Sequence, residues 1–528
     1  NLIRPRLMTP LAPPRPAPPR RVCLILEGTY PYVAGGVSTW VHQIIEAMPE
    51  IDFAVHYIGD QKQHNSASKY QLPENVRSVS ESYLFDPLPD YQLKPGRGSA
   101  AWKRDFLSLV SSFVASPALE TRFDALASAA ALLRAHPRRI TLADLARHDA
   151  AWQQLTSACR EHASEVSFLR YHATVRDLAT LLWRLLLTAG ALPAADCYHC
   201  VCTGYAGLLG ALASRRHGVP FLLSEHGVYL KERIEDIRKS TWLANPDPLH
   251  RDPPFHGSLG PFKSLWISFF DLLGRIAYSH ADRITSLYRG NARLQIEFGA
   301  DPDKILIIPN GIDTSRFAGI ARRNLQDAPA PPRSLTVGFL GRVVPIKDVK
   351  TLLHAARLVL NRHPDTRFLV AGPTDEDPDY FAECRALADR LGIRNAVEFP
   401  GRIKPDDFLA QSDVVLLTSV SEGLPFAILE ASAAGLPVVA TDAGACRELL
   451  AQPLPEAPGI GPSGIVTEVA DPASTAAALI QLADNPVLRR TLGAHGLQRV
   501  RAAYRQQDIV RQYRDLYHHP FRSPAPTP

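Results

Sequence analysis

The sequence predicts an α/β protein: two Rossmann-like domains facing across a cleft, with a helical insertion in the first. Three observations carry this. Short, nearly continuous apolar runs alternate with segments of helical spacing, the pattern of parallel strands covered on both faces. The rhythm comes in two series, Val22 to Ile308 and Leu335 to Ala440, separated by the Pro-rich stretch Ala328 to Arg333. From about Ala100 to Ala191 it gives way to Ala, Leu and Arg at helical spacing. The 528 residues suffice for two large cores and an insertion. The expected division is a tail (1–20), a first domain (21–313) with the insertion, a linker (314–333), a second domain (334–496), a returning helix (497–519) and a tail (520–528).

Composition narrows the class. Hydrophobic residues make up 46% and charged residues 21%, as in a globular protein exposed to water. A net charge of +5 over this length gives no reason to invoke nucleic acid. The most apolar run, Leu178 to Ala195, is broken by Arg184, Gly190 and Pro193 and is no membrane span. The N-terminal stretch Arg4 to Arg21 and the end after His519 read as disordered tails, and no signal-peptide core precedes the first strand; a cytoplasmic location is expected. Seven cysteines point away from a disulfide framework. Cys197, Cys200 and Cys202 surround His199 in a C-x-x-C-x-C run, but they sit on a buried strand and lack a second knuckle, so buried thiols and no metal are expected.

In chain order, VCLILEG from Val22 is a strand, and Gly35-Gly36 opens a helix whose apolar positions are Val41, Ile44, Ile45 and Met48. Glycines between strand and helix let backbone approach a ligand, although the doublet alone reads first as a plain tight turn. Ile51 to Ile58 is the second strand. In the insertion, Phe106-Leu109-Val110-Phe113 and Leu178-Leu181-Leu182-Leu185 mark helices; Arg134, Arg138, Arg139 and Arg147 read as a solvated face, with an anionic partner or membrane surface as the sharper alternative. The rhythm resumes with a strand to Val201, a helix from Gly204 to His217, and a strand ending in Ser224-Glu225-His226-Gly227. Polar groups at the carboxyl end of a parallel strand are where such sheets bind ligands. Glu232 to Leu265 reads as a long polar loop, a lid or acceptor rim, and Trp266 to His280 as a helix.

The second series opens with the strand Leu335 to Leu340 and then Gly341-Arg342-Val343-Val344-Pro345-Ile346-Lys347-Asp348. A planar guanidinium and a point charge together make a clamp suited to a diphosphate. Strands follow at Phe368 to Ala371 and Val397 to Gly401, the latter leading to Arg402-Ile403. The centre of the chain is Thr418 to Leu449, a strand, a polar loop and a helix from about Phe426 to Ala434 ended by Gly435. Free N–H groups of Phe426, Ala427 and Ile428 at that helix start suit an anion. Glu430, one turn in, can accept two hydrogen bonds from a vicinal diol such as a ribose, and Glu422 on the loop can reach sugar hydroxyls beyond the phosphates. By spacing alone, an ordinary strand–helix connection with two solvated glutamates reads as well.

The string Glu422-Gly-Leu-Pro-Phe-Ala-Ile-Leu-Glu430-Ala431 resembles the paired-glutamate motif of retaining family-four glycosyltransferases, which have the GT-B fold. The resemblance implies that Gly35 and Gly36 line the sugar and diphosphate end of the cleft and that His226 sits beside the donor sugar. It implies a phosphate clamp of Arg342 and Lys347, and base recognition by backbone at Arg402 and Ile403. Pro309-Asn310-Gly311-Ile312-Asp313 resembles the family's hinge entry, and a last helix, Leu497 to Tyr517, is expected to cross back to the first domain. LILEGTYPYVAGGVSTWVHQII, SEHG and the insertion look more narrowly like the cytosolic glycosyltransferases of exopolysaccharide synthesis. That likeness implies a UDP-glucose or related UDP-hexose donor as substrate with no cofactor, a growing polysaccharide as acceptor, and work beside an inner-membrane export complex. No obvious Asp-x-Asp pair is singled out to hold a divalent ion on the diphosphate, and no further carboxylate stands out as a nucleophile, so transfer without metal or covalent intermediate is expected. A different donor (GDP-mannose or a UDP-N-acetylhexosamine), a phosphorylase needing a pyridoxal-phosphate lysine, and a non-catalytic nucleotide-sugar scaffold are the competing readings.

Overall fold

The computed structural model describes residues 20–62, 67–164, 166–240, 260–326 and 334–519. The N-terminal tail, the Pro-rich linker at 328–333, the middle of the expected lid (241–259) and the C-terminal tail lie outside them.

The first domain runs β1 (Arg21–Glu27), α1 (Gly36–Glu46), β2 (Asp52–Gly59), β3 (Val76–Tyr83), then five helices, α2 (Ala100–Ala115), α3 (Leu119–Ala135), α4 (Leu142–Ala146), α5 (Asp149–His162) and α6 (Phe168–Ala191). It continues with β4 (Cys197–Cys200), α7 (Tyr205–His217), β5 (Phe221–Glu225), α8 (Tyr229–Lys239), α9 (Pro261–His280), β6 (Arg283–Ser286), α10 (Arg289–Glu297) and β7 (Ile305–Ile307). The strands form a seven-stranded parallel sheet in the order β3-β2-β1-β4-β5-β6-β7. Strand alternation sorts β1 between two layers. Val22, Leu24 and Leu26 pack with Trp40, Val41, Ile44 and Ile45 of α1, while Cys23 and Ile25 join α7, α9 and the helices α3 and α6 of the insertion in one continuous core. The edge strand β3 carries no apolar alternation in VRSVSESY, which is why periodicity does not reveal it.

After α11 (Ala318–Leu325), the second domain comprises β8 (Thr336–Leu340), α12 (Val349–Leu360), β9 (Arg367–Ala371), α13 (Pro378–Arg390), β10 (Val397–Gly401), α14 (Pro405–Gln411), β11 (Val414–Leu417), α15 (Phe426–Ala433), β12 (Val438–Thr441), α16 (Cys446–Leu450), β13 (Gly464–Thr467), α17 (Pro472–Asp484) and α18 (Pro486–Ala503). Its six strands, all parallel, are ordered β10-β9-β8-β11-β12-β13. One face is covered by α15, α16 and α18, the other by α12, α13 and α17. Two parallel Rossmann-like sheets are thus present, as expected. No helix among the described residues is long and apolar enough to cross a membrane.

Two expectations are corrected. Glu232 to Leu265 is not all loop: residues through Lys239 belong to α8, and α9 begins at Pro261. Helix α8 is strongly polar, and its buried side chains are Leu230 and Ile237, two turns apart, too thin a stripe to read from sequence. The terminal helix from Leu497 to Tyr517 is two helices, because α18 stops at Ala503 and α19 (Gln506–His518) starts anew. The break is made by a second chain segment crossing alongside it. Ile312 donates its N–H to Tyr504 O (2.8 Å) and accepts from Gln506 N (3.1 Å), so the outgoing and returning strands between the domains pair with each other. Helix α19 then packs on the first domain, where Tyr513 and Tyr517 join the core beside Trp40 and Phe53.

Candidate active site

The loop between β11 and α15 holds Glu422, and the turn after β8 holds Lys347. Two bonds zip these segments together: Val420 N donates to Ile346 O (2.9 Å) and Thr418 Oγ1 to Lys347 O (3.1 Å). Lys347 Nζ thereby meets Glu422 Oε1 at 2.5 Å, with both side chains largely buried. Ser419 Oγ donates to the same carboxylate oxygen (2.5 Å), and Thr441 Oγ1 holds Ser419 O from below (2.6 Å). Gly444 is required here: it has φ +56°, and a Cβ would stand 2.1 Å from Glu422 O. Gly423 faces the other domain, since a Cβ on it would lie 2.8 Å from His226 O. Asn310 Nδ2 reaches Leu424 O (3.4 Å) from the hinge.

Glu430 lies one turn into α15; its backbone carbonyl accepts from Ala434 N (3.0 Å), while its carboxyl accepts no hydrogen bond from the described residues. Burial pushes its carboxyl up to about 7, against the lowering effect of Arg316 and with a smaller raising effect of Asp406. Arg316 is engaged by Asp406 through both Nε (3.0 Å) and Nη2 (2.5 Å). At the start of α15 no side chain caps the helix. Of the three N–H groups expected to be free, that of Ile428 is not: it bonds Pro425 O (3.1 Å), because the first turn closes on itself. Phe426 and Ala427 keep theirs pointed out of the helix start.

The two arginines of the predicted set are held apart from this cluster. Arg342 Nη1 bonds Glu376 (2.8 Å) and Arg402 Nη2 approaches Asp375 (3.3 Å), both acids standing on the loop after β9. These pairs are exposed, so each is worth at most about 1 kcal/mol and yields readily to a better anion. Ile403 is partly buried against the second-domain core.

On the first-domain side, α1 begins without a side-chain cap, and a Cβ on Gly35 or Gly36 would meet nothing within 4 Å. The glycines there are not demanded by packing, which leaves open backbone at a helix start. His226 packs edge-on against Trp40 (4.6 Å between centroids), and burial pulls its imidazole down to about 4. Its Nε2 and the Trp40 Nε1 are buried with no partner among the described residues. Glu448 of α16 spans the domains, accepting from Arg289 N (3.1 Å) and Gly290 N (2.9 Å) at the start of α10. Arg316, Trp40 and Glu448 carry no local signal beyond their residue type and join the site through pairings far apart in sequence, whereas Ser419 meets Glu422 within its own loop.

The cysteine run has other work. Cys200 Sγ donates to Ala206 O (3.0 Å), and Cys202 Sγ points to Glu27 (3.6 Å). Both ring nitrogens of His199 are taken, by Tyr517 (2.8 Å) and Ser224 (2.7 Å). Among the described residues, no three His, Cys, Asp or Glu side chains are grouped to hold a metal ion.

Two parallel Rossmann-like domains with polar loops meeting at the carboxyl ends of their strands define the GT-B architecture. The chain belongs to the family described as "Domain of unknown function (DUF3492)", whose model matches residues 20–303, and residues 334–485 match the model "Glycosyl transferases group 1". The chain is 29% identical over 296 residues to a D-inositol 3-phosphate glycosyltransferase of Acidothermus cellulolyticus, covering 54% of this chain and 59% of that one. It is 25% identical over 319 residues to an MMP alpha-(1->4)-mannosyltransferase of Mycolicibacterium hassiacum, covering 58% and 67%. The match thus spans about three-fifths of the first relative's length. Among solved structures, the fold is shared with Anabaena HepE in complex with UDP and glucose (TM-score 0.55, 16% identity, 94% of this chain and 99% of that one). It is shared equally with the sucrose-phosphate synthase of Thermosynechococcus elongatus (TM-score 0.56, 17% identity, 95% and 99%).

Proposed function

We propose that this protein is a retaining, metal-independent glycosyltransferase that moves a hexose from UDP-glucose or a related UDP-hexose to a growing polysaccharide. In this reading it is most like PelF, the cytosolic glycosyltransferase of Pel exopolysaccharide biosynthesis in biofilm formation, working beside an inner-membrane export complex. The observation that carries the reading is the cluster at the start of α15: Lys347 against Glu422 and Ser419, with an unpartnered Glu430 one turn along. The match of this segment to the group 1 glycosyl transferase model supports it, as do the UDP and glucose named in the HepE complex.

The donor lies along the loop and helix, ribose diol on Glu430, diphosphate at the N–H groups of Phe426 and Ala427, hexose toward Glu422, His226 and the Gly35-Gly36 loop. Base recognition falls to backbone at Arg402 and Ile403. The diphosphate takes Lys347 from Glu422 and Arg342 from Glu376, exchanging a carboxylate for a more highly charged partner. As the bond from sugar to phosphate breaks, negative charge grows on the departing oxygen, and these cations and the helix start stabilise it without reorganising. That oxygen takes the acceptor's proton, so sugar arrives on the face it left. A carboxylate released from Lys347 is then free to accept from sugar hydroxyls.

A second reading is another donor, such as GDP-mannose or a UDP-N-acetylhexosamine, acting on a small or lipid-linked acceptor; the inositol 3-phosphate and the mannosyl transfer in the names of the curated relatives support a small acceptor and a mannosyl donor. Calorimetric titration with UDP, GDP and their sugar nucleotides, followed by a turnover assay with and without EDTA, separates them. UDP-hexose binding with EDTA-resistant turnover is expected. Preference for GDP overturns the donor assignment; donor binding with no turnover on any acceptor turns the protein into a nucleotide-sugar-binding scaffold.

A further inference from the structure

The first-domain wall of the cleft is built from two loops on neighbouring parts of one sheet: the glycine loop after β1 and the His226 loop after β5. Each strand ends in a glutamate: Glu225 is buried and Glu27 half-buried, and desolvation pushes both carboxyls up. Neither is left to desolvation alone. Glu27 accepts from Tyr229 Oη (2.6 Å) on one oxygen, and from Tyr205 N (3.1 Å) and Cys202 Sγ (3.6 Å) on the other. Glu225 accepts from Thr203 Oγ1 (3.1 Å) and Tyr229 N (3.2 Å) on one oxygen, and from Tyr278 Oη (2.6 Å) and Gln295 Nε2 (3.0 Å) on the other.

Tyr229 is common to both. It is the first residue of α8, three positions past His226, and it spans the two carboxylates with its backbone N–H and its hydroxyl. Its ring is fixed by three neighbours: Gly204, where a Cβ would stand 2.4 Å from Cζ; Phe270, edge-on at 6.0 Å; and Arg233, 5.3 Å over the ring. A buried carboxyl whose two oxygens are both hydrogen-bonded, as those of Glu27 and Glu225 are, holds one geometry, because displacement strands a polar group in low dielectric. Through Tyr229 that rigidity is passed to His226-Gly227-Val228 on one side and to the end of β1 on the other.

We propose that Glu27, Tyr229 and Glu225 form a strut that keeps the His226 loop in register with the glycine loop, making Tyr229 a positioning residue for the first-domain wall of the cleft. The inference rests on the reading above, in which His226 and the glycine loop face the donor sugar. Displacing a group by about 1 Å at a reacting centre costs up to about a hundredfold in rate, so a loosened strut acts on turnover more than on binding, which Lys347 and Glu430 secure from the other domain.

The test is Tyr229→Phe, which removes the hydroxyl and keeps both the ring and the N–H. Tyr198→Phe is the matched control: its buried hydroxyl donates to Pro193 O (2.7 Å) in the same domain, away from the strut. Expected for Tyr229→Phe are a fall in kcat of about tenfold, KM for the UDP-hexose and Kd for UDP within about twofold, and a melting temperature close to that of the control; Tyr198→Phe keeps its kcat. A kcat for Tyr229→Phe within twofold of the wild type, or an equal loss in both variants, overturns the strut. Should Tyr229→Phe fail to fold, Thr203→Val, which deletes one donor to Glu225, is judged by the same criteria. His226→Ala run in parallel keeps the two readings distinct. If it is inactive while Tyr229→Phe is normal, the strut fails; if it turns over normally while Tyr229→Phe is slow, the role of His226 fails and the strut stands.

Discussion

Glu430 offers the sharpest test of the ligand's direction along α15. Its carboxyl is raised to about 7 by burial, with Arg316 opposing and Asp406 adding to the shift. A carboxylate accepts two hydrogen bonds from a diol, whereas the protonated acid must spend one oxygen as a donor. UDP should therefore bind the ionised form, and affinity should rise with pH through 7. With a pKa near 7, the ionised fraction changes about tenfold between pH 6 and pH 8, equivalent to about 1.4 kcal/mol. Glu430→Gln keeps the shape and loses the charge, so at pH 8 it should bind UDP more weakly by about 1–2 kcal/mol. At pH 6 the wild type is mostly protonated, and the two proteins should nearly converge. Calorimetric titration of both proteins with UDP at pH 6, 7 and 8 measures this, and the variant removes the nucleotide's own phosphate titration from the comparison. Parallel pH profiles for wild type and variant would refute the assignment, as would an equal affinity at pH 8.

Three further outcomes are expected. Replacing Arg342 and Lys347 together with Ala should weaken UDP binding and turnover jointly, by about 1.5–3 kcal/mol for each charge-assisted hydrogen bond to phosphate that is removed; near-normal steady-state kinetics would remove the clamp from the site. Glu422→Gln should lower turnover while leaving UDP affinity no weaker than the wild type, since it releases Lys347 from its 2.5 Å partner; an equal loss of UDP affinity in Glu422→Gln and Glu430→Gln would reverse the ligand. His199 is held neutral in the fold, with its pKa pulled to about 3 by burial and secondarily by His226, below its unfolded value near 6.5. The unfolded chain then binds the extra proton as pH falls below about 6.5, so stability should drop by about 2 kcal/mol between pH 8 and pH 5 through this residue. Because burial pulls His226 and His56 down to about 4 as well, denaturant titrations at both pH values should show a loss about 2 kcal/mol smaller in His199→Gln than in the wild type; identical losses would remove His199 as a cause.

Short-range chemistry is legible in the chain itself. Continuous apolar runs such as Val22 to Leu26 and Val414 to Leu417, short and bounded by polar or turn residues, read as buried parallel strands, and Gly435, at φ +68°, ends its helix as its lack of a Cβ permits. The placing of Glu422 on a loop and Glu430 one turn into a helix follows from the same local rules. Partner choice does not. Lys347 and Glu422 are 75 residues apart, and they meet because adjacent strands β8 and β11 bring their two loops side by side. Arg342, from the same turn as Lys347, is drawn instead to Glu376, on the loop after β9, the other neighbour of β8. Helix α8 escapes a periodicity reading because only Leu230 and Ile237 are buried on it, and Glu225 and Glu27, distant in sequence, bind its Tyr229 as well. The final helix breaks at Tyr504 because Ile312, nearly two hundred positions away, takes its backbone bonds. Periodicity reports which face of an element is dry; which charge answers which, and where a helix must yield to another chain segment, is set by the register of strands and the competition for buried hydrogen bonds, and these exist only once the two sheets have formed.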